Sequence, residues 1–398
     1  MALADEPTIQ YWAWWTVSQE DLQKAEKAIG AKIDYRQLNW GDVESKLLTA
    51  VIAGSGPDVI YVDPSWFDAF ASKGVLTDLN PYLKTDNDSL WKDIFPSGME
   101  LWQSDGKQWA VPNNVAPTLF WYNGTLMDDL GLARPDDSFD WNTWLADSRK
   151  AARDKDGDGR LDTEGFMPWW WEIGDLIRSN GGTLFTDGKL SINSQATRDA
   201  LTFFKQVREF NLIEDWEQLP KYPQHPDAAW WDGAVLFAPG GDWIGPSVQK
   251  DGKWTFDIQV APAPKSPIGQ RSALLRGNGL AITSSSKHKD LAYKLIKYFL
   301  SDDVQKQTAQ NGQLPGRISI AHQYYLTGGV KYPYDRNTII QSLAYQQGPD
   351  KNVDWSETYG VWNSPIKAEA DKFLRGQESM DAMMTNMAKL VNAILDKQ

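Results

Sequence analysis

The sequence has no cysteine and only three histidines among 398 residues. Zero cysteine excludes disulfides, thiolate metal centres and cysteine nucleophiles together, and it suits an exported protein that folds without disulfides. His225, His288 and His322 lie in polar, lysine- or proline-flanked settings, and no G-x-S-x-G is present, which argues against a Ser-His-Asp hydrolase. Basic charge is also short: 40 Lys and Arg face 53 Asp and Glu, a net charge of −13. That balance excludes a nucleic-acid partner, whose phosphates need a basic face, and docking on an anionic membrane surface. No G-x-x-x-x-G-K-[ST] phosphate loop and no G-x-G-x-x-G after a strand occur, so the nucleotide motifs are absent too. No run approaches the ~20 apolar residues that a membrane-spanning helix needs.

What is present in excess is tryptophan. The chain has 21 Trp against 14 Tyr and 14 Phe, many of them clustered at Trp12, Trp14 and Trp15, at Trp169, Trp170 and Trp171, and at Trp230 and Trp231. Neighbouring strand residues point to opposite faces, so a core does not need adjacent Trp. Some of these rings must face a cleft, a partner or water. At roughly 150 residues per domain, the length predicts about two or three domains. Ala2-Leu3-Ala4 ahead of Asp5-Glu6 has the form of the end of a cleaved export signal, with Met1 added.

The first third alternates strand and helix patterns. Thr8 to Trp14 reads as a strand with Ile9 and Tyr11 on one face and Trp12 and Trp14 on the other. Ser18 to Asp21 has the spacing of a helix-capping box, with Leu22, Ala25 and Ile29 following at helical intervals. Lys32 to Gln37 is a second strand, and Asp42 to Ala53 a helix with Val43, Leu47, Val51 and Ile52 inward. Asp58 to Val62 is a continuous apolar strand, as in a buried parallel sheet. This order predicts an α/β layer fold whose ligands sit beyond the carboxyl ends of the strands, where Trp12, Trp14, Asp63 and Trp66 fall. The middle is helix-rich and flanked by two Pro- and Gly-bearing stretches, Val111 to Pro117 and Ala261 to Gly269, both expected as crossings between domains. Met380, Met383, Met384, Met387, Leu390, Val391 and Ile394 recur at helical spacing and predict core packing.

Several pieces carry a resemblance when taken in order. They are Tyr11-Trp12-Ala13-Trp14-Trp15, Gly56-Pro57-Asp58-Val59-Ile60, Gly106 to Pro112 and Trp121-Tyr122-Asn123. Then come Trp231 to Val235 with Gly241-Asp242-Trp243, Asn278 to Ile282 with Ser286-Lys287, and Leu314-Pro315. Across positions 8 to 320 the chain resembles the extracellular solute-binding proteins of sugar-carrying ABC transporters, the relatives of maltose-binding protein. The resemblance implies a periplasmic-binding-protein fold of two α/β lobes joined by a hinge. The N-lobe would hold 1–113 and 276–317, and the C-lobe 117–272 and 320–398. Crossings are expected near 112–117, 270–277 and 315–321. It further implies a periplasmic or extracellular, monomeric, non-catalytic protein. Such a protein captures a sugar, expected to be an oligosaccharide, by hinge closure and delivers it to permease subunits.

Aromatic rings cover the C–H face of a pyranose, and carboxylates or amides hold its hydroxyl rim; a Trp offers both an apolar face and an N–H donor. On the resemblance the site residues are Trp12, Trp14, Asp63, Trp66, Asn114, Thr118, Trp169, Trp171, Asp242, Trp243, Arg276, Asn278 and Trp362. Alternatives stay open at several of them. One or two rings of Trp169 to Trp171 can pack between helices, Trp14 or Trp15 can be core, and Asn114 can be turn chemistry. Arg276 either pairs with a carboxylate or faces the ligand, which would then favour an acidic sugar. Trp243→Ala is expected to weaken binding tenfold or more without unfolding the protein.

Asp154, Asp156, Asp158 and Asp162 fit D-x-D-x-D-G-x-x-D, with the Arg160 carbonyl as a further donor. Position twelve of the pattern is Gly165, and Glu164 stands one place early. A structural Ca2+ and a metal-free acidic turn are both open readings; no other cofactor is expected. The competing function is a glycoside hydrolase or other carbohydrate-active enzyme with a Trp-lined cleft, which needs two carboxylates about 5–10 Å apart. A carbohydrate-adhesion module would be mostly β, against the βαβα opening.

Overall fold

The computed structural model describes residues 6–159, 161–167, 172–208, 228–250, 253–327, 332–348 and 365–396. The strands that matter here are β1 (Thr8–Ala13), β2 (Lys32–Gln37), β3 (Val59–Val62), β4 (Ala110–Pro117), β5 (Leu119–Asn123), β6 (Glu164–Phe166), β7 (Val235–Gly240), β8 (Ile258–Ala261) and β9 (Ala273–Ile282). The helices are α1 (Gln19–Ile29), α2 (Trp40–Ile52), α3 (Pro64–Ser72), α4 (Trp141–Ala151), α5 (Glu172–Ser179), α6 (Gln195–Arg208), α7 (Lys289–Phe299), α8 (Asp302–Gln310), α9 (Pro365–Leu374) and α10 (Met380–Leu395). The chain divides into two compact units, Met1–Ala116 with Arg276–Gly329 and Pro117–Leu275 with Val330–Gln398.

In the first unit β1 lies between β2 and β3, parallel to both, and the second half of β9 pairs antiparallel with β3. The period-two pattern of β1 divides its side chains between two cores. Ile9, Tyr11 and Ala13 pack with α1 and α7, while Trp12 packs with α2 and α3. Helix α1 begins where the capping box places it: the Ser18 hydroxyl accepts from the Asp21 backbone N–H at 3.1 Å, and Leu22, Ala25 and Ile29 are buried. One expectation fails at the end of α2. Val43, Leu47 and Val51 are inward, but Ile52 is 77% exposed. A step of about 100° per residue cannot put both Val51 and Ile52 on the buried face.

An ion-pair group ties α7 to the segment after the sheet. Lys297 lies 2.8 Å from Asp86 and 3.0 Å from Asp88, and the Tyr293 hydroxyl donates to Asp86 at 3.0 Å. Burial alone would raise the Asp86 carboxyl. The Lys297 contact and the Asp88 backbone N–H outweigh it and hold the group at about 2. A depressed carboxylate stabilises the fold above its unfolded value of about 3.9 and loses that effect as pH falls through the folded value. Asp86→Asn should therefore cost about 2 kcal/mol at pH 7, and the difference from the parent protein should vanish by about pH 2. Thermal melts of both proteins over that range check it; a difference that persisted at low pH would contradict it.

The second unit is built on β8-β5-β7-β6, with β5 antiparallel to β7 and β8 and with β6 parallel to β7. Phe120, Tyr122, Phe166 and Phe237 face a core made by α4, α5, α6, α9 and α10. Met383, Met384, Met387 and Val391 fill it from α10, as their spacing predicts, and Met380 packs partly buried at its edge, but Leu390 is exposed, one step of about 100° from the buried Val391. Trp141, Trp144 and Trp230 are buried in packing roles. The Ala261 to Gly269 stretch, expected as a crossing between domains, lies wholly within this unit, its Pro and Gly residues serving the turn after β8 instead.

Candidate ligand-binding site

The carboxyl ends of β1 and β3 open onto a pocket of about 320 Å³ in the first unit, within the usual size of small-molecule sites. Its aromatic side comes from the loop after β1. The loop is tied down from β2: the Tyr35 hydroxyl donates to the Trp15 carbonyl, and Gln37 Nε2 donates to Thr16 Oγ1 at 3.2 Å. Trp15 Nε1 donates to the Tyr11 hydroxyl at 3.1 Å, and burial pushes that phenol well above its ordinary range, so it stays neutral. Trp14 packs its ring against Tyr61 at 4.7 Å and against Trp66 at 5.5 Å, and Trp66 rests on Phe70 at 5.6 Å. Trp14, Trp15 and Tyr61 line the pocket with Trp66 and Phe70 stacked behind Trp14. Rings held this way lose little rotamer freedom when a ligand covers them.

The rest of the lining is mostly amide and hydroxyl. Asn113 Nδ2 donates to the Tyr61 hydroxyl at 3.0 Å. Asn278 gives both its backbone N–H and its Nδ2 to Asn114 Oδ1, at 2.9 and 3.0 Å. Helix α8 adds Val304, Gln307 and Thr308, with Asn311 and Gln313 just beyond it, and Ser18 and Asp21 enter from the start of α1. The site thus offers apolar faces beside hydroxyl and amide groups, a surface for a polyhydroxylated ring.

The residues expected from the sequence do not all meet here. Trp14 and Asn278 line the pocket, Trp66 backs it, and Asn114 holds Asn278 in place. Trp12 is buried in the core, with the Arg36 guanidinium 5.0 Å over its ring. Asp63 caps α3, accepting from the Ser65 backbone N–H at 2.8 Å and from its hydroxyl at 2.6 Å. Asn114 lies in strand β4 rather than a turn, because β4 pairs with β9 along that stretch. Arg276 is half-buried within β9 and is not among the residues lining this pocket.

Thr118, Asp242 and Trp243 belong to the second unit. Thr118 is buried, its backbone N–H donating to the Leu274 carbonyl at 3.1 Å, and it lines a small cavity of about 20 Å³ with Trp141, Trp144 and Ser272. Asp242 is fully buried beyond β7, whereas Trp243 is 39% exposed with its ring folded over Gly241. Trp169, Trp171, Trp362 and Arg160 lie outside the described residues.

Sequence reasoning missed Tyr61, Asn113 and the α8 wall. Tyr61 sits in an apolar strand and Asn113 in a Pro-Asn-Asn run, so each looked local. The one available signal was on α8, where Val304, Thr308 and Asn311 recur at helical spacing as a stripe of small polar residues beside one valine. In the acidic loop, oxygens of Asp154, Asp156 and Asp162 come within 4.8 Å of one another. Their charge is answered locally: Asp154 accepts from the backbone N–H groups of Gly157 and Gly159 at 2.6 and 2.8 Å, and Asp162 accepts from that of Lys155 at 2.7 Å. Asp158 stands outside that trio, and so does Glu164, which pairs in β6 opposite Val235 and is fully buried.

The sequence profile of the bacterial extracellular solute-binding proteins matches residues 13–306. A diacetylchitobiose-binding protein of Streptomyces coelicolor is 26% identical over 388 residues, covering 92% of this chain and 83% of the relative. Among solved structures, an ABC substrate-binding protein of Listeria monocytogenes in complex with cycloalternan is similar with a TM-score of 0.84 at 23% identity, covering 98% of this chain and 100% of that one. A maltose/maltodextrin-binding domain of Bdellovibrio bacteriovorus bound to maltotriose is similar with a TM-score of 0.75 at 19% identity, covering 98% and 100%. At these identities the structural likeness shows a shared fold.

Proposed function

The chain belongs to the bacterial extracellular solute-binding protein family, and from that premise we propose that it is the sugar-capturing component of an ABC importer, outside the cytoplasmic membrane, handing an oligosaccharide to permease subunits. The observation that carries the reading is the first-unit pocket, whose lining combines Trp14, Trp15 and Tyr61 with Asn113, Asn278 and residues of α8. Relatives named for diacetylchitobiose and for arabinooligosaccharides support an oligosaccharide as cargo. Proteins of this family bind their solute and do not transform it, which supports capture over hydrolysis. The exposed Trp243 of the second unit is the further aromatic that we assign to the ligand.

The test is calorimetry against a panel of oligosaccharides with product analysis. At least one sugar should bind and be recovered intact, and Trp243→Ala should bind it at least tenfold more weakly with an unchanged melting temperature. Recovery of shortened sugar would make the protein an enzyme, and full affinity in the variant would remove Trp243 from the site.

A further inference from the structure

We infer that the first-unit pocket selects uncharged saccharide units and rejects acidic ones; this rests on the sugar-capturing reading above. Among the described residues lining the pocket there is no Lys, Arg or His, and the one formal charge is the carboxylate of Asp21. The nearest cation to it does not supply a countercharge for a ligand. Lys24 lies 3.9 Å from Asp21 but 2.7 Å from Glu20, on a side chain 58% exposed. A uronic-acid carboxylate placed in the pocket would leave water, meet no cation and face a like charge, and each of these opposes binding. The net charge of −13 adds repulsion of the same sign during approach.

The orientation of Asn278 points the same way. Asn114 Oδ1 accepts from the Asn278 backbone N–H, which fixes that atom as oxygen. The Asn278 side-chain atom beside it, at 3.0 Å, must then be the Nδ2 donor, so Asn278 turns an acceptor, its own Oδ1, to the remaining space. The Asp21 carboxylate, which also accepts from the Ser18 hydroxyl at 2.6 Å, is a second acceptor among the lining residues. Sugar hydroxyls can donate to Asn278 Oδ1 and to the Asp21 carboxylate, whereas an ionised carboxylate only accepts. A buried acceptor left without its donor is the strongest source of discrimination that such a site has.

The test compares matched pairs by calorimetry at physiological ionic strength: α-1,4-galactotriose with trigalacturonate, β-1,4-mannotriose with trimannuronate, and cellotriose with its uronic-acid counterpart. At least one neutral trisaccharide should bind, and each acidic partner should bind about 30-fold or more weakly than its neutral counterpart. Gln307→Arg, at an exposed position of α8 on the pocket wall, should narrow that gap by placing a cation there. An acidic sugar binding as tightly as its neutral counterpart, or more tightly, would overturn the inference and leave the sugar reading standing. Failure of every neutral and acidic sugar would overturn both.

Discussion

Trp14→Ala should weaken sugar binding by about 30-fold or more, the size of effect seen when a central aromatic anchor is truncated. The ring lines the pocket and is held between Tyr61 and Trp66, so its removal takes away both the stacking face and the lateral support of Tyr61. Tyr61 in turn accepts from Asn113, so the loss spreads into the polar wall. Part of the effect is structural, since Trp14 also packs against both cores of the first unit. Trp14→Phe separates the two contributions. It keeps an aromatic face and most of the packing, and should recover affinity to within several-fold of the parent protein. Calorimetry with the best-bound neutral oligosaccharide reads both variants, and an affinity unchanged in Trp14→Ala would remove the ring from the site.

Gly277→Ala should lower stability by about 3 kcal/mol, by the sum of a strained backbone and an overpacked contact. Gly277 has a φ of +141°, a conformation that side-chain-bearing residues rarely adopt, and a Cβ there would stand 2.5 Å from the Asn114 carbonyl oxygen. The strand has no room to retreat, because the next residue donates both of its N–H groups to Asn114. For a unit of this size that cost corresponds to a fall in melting temperature of about 6–12 °C. The sugar affinity should fall with it, since the same pair presents Asn278 to the pocket. Asn278→Ala should lose affinity with a much smaller change in melting temperature. A melting temperature of Gly277→Ala equal to that of the parent protein would mean that the β4–β9 contact relaxes without cost.

The sequence made the α/β frame of the first unit readable because local rules decide it. The alternation of β1, the capping box at Ser18 and the apolar run from Val59 to Val62 each needed only neighbours a few residues away. What alternation cannot say is which face meets a ligand. Trp12 and Trp14 share a face by period two, yet Trp12 ends in the core under Arg36, while Trp14 lies past the last residue of β1 and reaches the pocket. The rest of the site depends on contacts between distant segments. Asn113 reaches Tyr61 across 52 positions, Asn278 reaches Asn114 across 164, and α8 is brought to the pocket only by the fold. Asn114 misled for the same reason: its residue type suits a turn, and the strand pairing that overrides this preference is not a local property.

The most direct measurement of the central claim is a crystal structure of the protein with the tightest-binding neutral oligosaccharide of the panel. The account predicts an intact sugar with one ring against Trp14 and Trp15 and a hydroxyl within about 3 Å of Asn278 Oδ1. An intact sugar bound elsewhere, with only solvent between the Trp14 loop and α8, would contradict it.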